Sequence, residues 1–200
     1  MQLPDENKDQ NPAAGAVIGE GAVDRDTVKG KAADQSPAAG AALAGMLAAL
    51  AIVLGYLESL LPPFFMLPGM KIGLTNIVVL FALYYLGWGY ALGINLIRIL
   101  AVGMLFGSGI SIIYSLAGGA LSFIIMLLLK KSGAFRLVTV SIAGGIAHNL
   151  GQLLAAAFFV KSISLLWYMA LLWFSGIGAG ALVGSIAALL FKGLKRKKCS

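Results

Sequence analysis

Charge is what this sequence has least of. Only 12% of its 200 residues are charged, about half of the roughly 25% usual for a soluble domain. The supply is also uneven. Seven of the eight carboxylates (Asp5, Glu6, Asp9, Glu20, Asp24, Asp26 and Asp34) precede residue 38, and beyond them Glu58 stands alone. One cysteine, Cys199, excludes an intramolecular disulfide and any cysteine-based metal cluster. One histidine, His148, excludes a multi-histidine metal site. No phosphate-binding glycine loop of the P-loop type is present, so any ATP-driven step would need a separate ATPase.

What fills the space is apolar sequence. Residues 1–37 carry no aromatic residue and no apolar period; they bury too little surface to offset ordering entropy and are predicted to form a disordered cytoplasmic extension. From 38 to 191 the chain is almost continuously hydrophobic, which defines a lipid-facing object. Six runs are separated by breakers: 38–61 before Pro62-Pro63, 72–86 before Gly87, 89–106 before Gly107, 110–129 before Lys130-Lys131, 137–160 before Lys161, and 164–191 before a basic tail, 192–200. A span needs about 20 residues, and only the second run is clearly short. The expected fold is therefore all-α, a polytopic bundle of about six transmembrane helices.

The net charge of +7 does not point to nucleic acid, because its placement follows the membrane. With the N-terminus inside, the internal segments hold four basic residues before 38, three at Lys130, Lys131 and Arg136, and five after 191. The external loops hold two, Lys71 and Lys161. That asymmetry predicts a multi-pass protein of the cell membrane with both termini cytoplasmic.

Each polar residue inside the spans costs free energy and asks for a reason. Arg98 lies about nine residues into the third run with Asn95 one turn before it, too deep to reach the surface easily. It pairs with Glu58 or lines a site. In the fifth run His148, Asn149 and Gln152 cluster, with His148 and Gln152 four apart on one face. Between the first two runs, Pro62, Pro63 and Pro68 prevent a regular helix, and Lys71 and Asn76 follow. This segment, 59–71, reads as an external loop folded over the bundle. Lys71, Asn76, Arg98, His148, Asn149 and Gln152, with Glu58, form the candidate ligand-binding set, and their positive balance suits a polar or anionic solute. No metal site and no cofactor are expected. Two stripes of small residues mark the first helix, Ala41-Gly45-Ala49 and Gly40-Ala44-Ala48, suited to close helix packing within the bundle or against a partner. A third, Gly176-Gly180-Gly184, suits packing inside the bundle.

The segments Pro68-Gly69-Met70-Lys71-Ile72-Gly73-Leu74-Thr75-Asn76, Tyr114-Ser115-Leu116-Ala117-Gly118 and Ala147-His148-Asn149-Leu150-Gly151-Gln152, with Arg98, resemble the Gx transporter family, whose members are labelled heptaprenyl diphosphate synthase component I. The resemblance covers about residues 40–192. That family is in turn similar to the substrate-binding S components of energy-coupling factor transporters. The likeness implies six helices, a ligand loop between the first two, and an alanine face, here Ala44 and Ala48, that docks on a coupling transmembrane subunit served by ATPases. The synthase label implies instead a partnership with a soluble prenyltransferase. Prenyl elongation holds magnesium on aspartate clusters, and the bundle has no aspartate, so under that label this chain is a non-catalytic membrane component. Two functions remain: solute binding for transport, or membrane support of isoprenoid diphosphate synthesis.

Overall fold

A computed structural model describes residues 36–60, 73–161, 167 and 169–196. The extension expected over 1–37 lies almost wholly outside them, as do Lys71, most of the 59–71 loop and the last four residues of the tail.

Among the described residues there are six helices and no strand. They are α1 (Pro37–Leu60), α2 (Leu74–Tyr85), α3 (Trp88–Phe106), α4 (Gly109–Ser132), α5 (Leu137–Val160) and α6 (Met169–Arg196). Five are long and apolar enough to cross a bilayer, and α2 is the exception. Their outer surfaces carry large apolar side chains, among them Met104, Phe158 and Phe174. Such a surface is stable against hydrocarbon and not against water. This is a membrane protein.

Two boundaries differ from the sequence expectation for one reason. Helix α4 runs through Lys130-Lys131 to Ser132, and α6 runs through Lys192 to Arg196. Apolar runs end where charge begins, but helices need not. Lysine and arginine are good helix formers, and positive charge suits a helix C-terminus.

Helices α4, α5 and α6 pack most intimately, and the pairs α2–α3, α3–α4, α4–α5, α5–α6 and α6–α2 close a ring. Helix α1 lies principally against α2 and α3. Glycine permits the tight crossings. A Cβ on Gly180 would lie 2.5 Å from Ile142 Cα, and one on Gly184 would lie 2.8 Å from Val138 Cα. The glycine stripe of α6 is thus spent inside the bundle, as its spacing predicted. At the α4–α5 crossing a Cβ on Gly151 would stand 2.7 Å from the Ala117 carbonyl oxygen.

Short α2 is the most interior helix. Seven of its twelve residues, from Thr75 to Leu83, are buried. It rises about 18 Å, far less than the roughly 30 Å of bilayer hydrocarbon; its neighbours, and not lipid, supply its surroundings. Charges from two other helices meet its ends. At the C-terminal end Lys130 Nζ donates to the Leu83 carbonyl and lies 4.9 Å from the centre of the Tyr84 ring. Phe191 of α6 stacks on Phe81 nearby, with ring centres 5.0 Å apart. At the N-terminal end Gly73 N–H donates to a Glu58 carboxylate oxygen at 2.5 Å. Gly73 holds φ +75°, a conformation glycine adopts without the penalty a side chain would add. The crossings of α4, α5 and α6 are antiparallel. Both ends of the described chain lie at the Lys130 end, with Gly40 of α1 against Tyr90 of α3.

The stripes of α1 separate. Gly40 and Ala48 are buried and Ala44 is half-buried against the core, whereas Ala41, Gly45 and Ala49 are exposed. Ala44 and Ala48, which the resemblance assigns to partner docking, lie toward the bundle, Ala48 buried and Ala44 half-buried; the residues one position on around the helix point outward.

Candidate functional site

Arg98 projects from the middle of α3 and is only 8% exposed. Its Nε donates to Asn95 Oδ1 at 3.0 Å, one terminal nitrogen donates to Thr75 Oγ1, and the other donates to Asn76 Oδ1 at 3.3 Å. Asn95 in turn donates to the Gly119 carbonyl at 3.3 Å. All these acceptors are neutral. Hydrogen bonds to a charged group contribute about 1.5–3 kcal/mol each, and burying a central arginine costs about 2.5–3.5 kcal/mol. The network therefore suffices to hold the guanidinium in place while its charge stays without a counter-ion in this shell.

Glu58 is hydrogen-bonded elsewhere, although its charge still attracts Arg98 from a distance. Its carboxylate accepts from Gly73 N–H at the start of α2, and Thr75 and Asn76, two and three residues on, hold Arg98. The alternative of a direct Arg98–Glu58 pair is replaced by an indirect connection through the first turn of α2. Glu58→Gln is expected to lower the thermal unfolding temperature in detergent, because it removes a charge–dipole contribution of up to about 2 kcal/mol at a partly buried helix N-terminus. Glu58→Ala should fall further, since the acceptor is lost as well. No change in either variant would show that Gly73 N–H finds another acceptor.

A small cavity, with room for on the order of one water molecule, opens among α2, α4, α5 and α6. Gly73 and Asn76 line one side, and Ser141, Gly145, His148 and Asn149 of α5 line another, with Met126, Ala179, Gly180 and Val183 completing it. Asn76 thus connects Arg98 to the cavity. The first turn of α2 begins beside it, with the Gly73 N–H donated to Glu58 and the Asn76 N–H to the Gly73 carbonyl. His148, Asn149 and Gln152 are all buried. Asn149 Nδ2 reaches across to donate to the Leu172 carbonyl of α6 at 3.0 Å, so part of its role is to join helices. Gln152 lies one turn beyond His148, facing α4; a Cβ on Gly118 would stand 2.7 Å from its Cγ.

The structure therefore brings together Asn76, Arg98, His148 and Asn149, sets Gln152 one turn away and Glu58 at the head of α2, and leaves Lys71 outside the described residues. Thr75 and Asn95 belong to the shell of Arg98 and were not in the expected ligand set, although Thr75 sits beside Asn76 in a quoted motif and Asn95 one turn from Arg98. Ser122 and Ser141 also join the interior. They carry no sequence signal, because a serine in an apolar helix ordinarily bonds its own backbone. Among the described residues no group of three His, Cys, Asp or Glu side chains could hold a metal ion.

No curated protein and no solved structure matches the chain at a significant level. A family model does, over residues 47–190, a span that takes in every residue of this site. On that match the chain belongs to the family described as heptaprenyl diphosphate synthase component I.

Proposed function

We propose that this membrane protein binds a polar, anionic small molecule at the centre of its helix bundle and serves in its transport. The carrying observation is Arg98, a buried cation whose hydrogen bonds go only to the neutral oxygens of Thr75, Asn76 and Asn95. Those bonds hold the guanidinium in place without neutralising it, and a cation kept so at mid-membrane suits an anionic ligand. A second feature points the same way. Asn76, which holds Arg98, also lines the cavity beside His148 and Asn149, so polar side chains able to orient an anion stand next to the charge.

In this reading Arg98, with Lys71 from the preceding loop, neutralises the ligand. Asn76, His148, Asn149 and Gln152 orient it by hydrogen bonds. Access is from outside the cell, from the end bearing Glu58, and the basic ends of α4 and α6 lie in the cytoplasm. Docking on a coupling subunit with its ATPases falls to the outward stripe Ala41-Gly45-Ala49, because Ala44 and Ala48 are turned inward.

The family description favours a second reading, a non-catalytic membrane component of heptaprenyl diphosphate synthesis partnered by a soluble prenyltransferase. There Arg98 would meet a diphosphate. The two readings separate on purification from native membranes followed by mass spectrometry of co-purifying proteins and small molecules. An ATPase pair with a coupling subunit, or a retained water-soluble anion, is the expected result. A soluble prenyltransferase, or a retained prenyl diphosphate, would overturn the transport reading.

A further inference from the structure

Two polar groups deep in the bundle have no hydrogen-bond partner among the described residues. Gln152 Oε1 is one, on a residue 4% exposed, and Ser122 Oγ is the other, on a residue 1% exposed. Both stand at the α4–α5 crossing, which glycines hold close. A Cβ on Gly118 would meet Gln152 Cγ, and one on Gly144 would lie 3.4 Å from Ser122 Oγ. Gly145, next to Gly144, lines the cavity, as does His148, one turn from Gln152. A buried amide oxygen left without a donor is destabilising. In a bundle whose apolar positions are filled by leucine, valine and alanine, a leucine at 152 would avoid that cost. A donor brought by a ligand would remove it.

We infer that the α4–α5 crossing is a charge-neutral subsite of the Arg98 site, in which Gln152 and Ser122 receive a hydroxyl or amino group of the same ligand. The ligand class is then an anion that also carries a hydrogen-bond donor, and not a prenyl diphosphate, whose apolar tail would leave Gln152 unmet. This rests on the anion-binding reading of Arg98 and adds the second end of the molecule.

The test uses the full chain in detergent and three probes: glycerol 3-phosphate, inorganic phosphate and farnesyl diphosphate. Without any probe, Gln152→Leu should raise the unfolding temperature by about 2–4 °C, because an unmet polar group has been removed. With probes, glycerol 3-phosphate should stabilise the wild type more than inorganic phosphate does, and Gln152→Leu should erase that difference. Ser122→Ala should reduce it. A fall in unfolding temperature for probe-free Gln152→Leu would show a structural, water-bridged amide and overturn the subsite. So would farnesyl diphosphate stabilising wild type and Gln152→Leu equally, with both shifts lost in Arg98→Gln; that outcome leaves anion binding at Arg98 standing. If no probe shifts the wild type, both the subsite and the anion-binding reading fail.

Discussion

Arg98→Gln is expected to weaken binding of the protein's anion by about 100-fold or more while leaving the bundle assembled. Loss of two charge-assisted hydrogen bonds at about 1.5 kcal/mol each gives about 3 kcal/mol, which is roughly that factor. The effect on folding is smaller because two contributions oppose. Glutamine cannot serve Thr75, Asn76 and Asn95 together, which is destabilising. Removal of a mid-membrane charge, at about 2.5–3.5 kcal/mol, is stabilising. Equilibrium binding of the anion retained on purification and thermal unfolding in detergent measure the two separately. Arg98→Lys should retain part of the affinity, since it keeps the charge and loses the planar fork. Unchanged binding in Arg98→Gln would make the arginine a structural residue and end the anion reading.

The second large effect is on assembly. Gly180→Leu is expected to abolish the α5–α6 crossing, and even Gly180→Ala should destabilise by about 3 kcal/mol, at the upper end of overpacking. The new Cβ would stand 2.5 Å from Ile142 Cα and 2.8 Å from the Ser141 carbonyl oxygen. Backbone cannot rotate aside as a side chain can. Gly178 is the internal control: two residues away on the same helix, it has nothing within 4 Å of its added Cβ. Gly178→Ala should stay within about 0.5 kcal/mol of the parent. The monodisperse fraction on gel filtration and the unfolding temperature report both. Equal behaviour of the two variants would mean that the crossing is looser than described.

The helices were legible because lipid leaves an unambiguous mark: apolar runs of the right length, separated by Gly, Pro and Lys. Their ends were less so. Lys130 and Lys192 look like terminators and are helical, since charge marks where lipid ends and not where hydrogen bonding does. That Arg98, Asn76 and His148 ask for an explanation was visible because polar residues are costly in lipid. Their partners were not, because pairing depends on which helices are neighbours. Thr75 and Asn95 became part of the site only through the packing of α2 on α3. Ser122 is a one-hydroxyl difference from alanine and gives no pattern to detect. The stripes of α1 show the same limit. Spacing identified both, and only the position of α2 and α3 decides which one, Gly40-Ala44-Ala48, is consumed indoors.

The brevity of α2 constrains how the protein is made. A helix of twelve residues that carries Thr75 and Asn76 in its first turn has too little hydrophobic length to stop in the bilayer by itself during synthesis. Helix α3 is the next segment able to do so, and only Leu86 and Gly87 separate the two. Helix α2 is therefore expected to enter as the first arm of a hairpin drawn in by α3. It is held only once Glu58 has met Gly73 at one end and Lys130, not yet synthesised at that moment, has reached Leu83 at the other. The shell of Arg98, which draws on Thr75 and Asn76 of α2, Asn95 of α3 and the Gly119 carbonyl of α4, can therefore close only after α4 has arrived, and the cavity beside it only after α5 and α6.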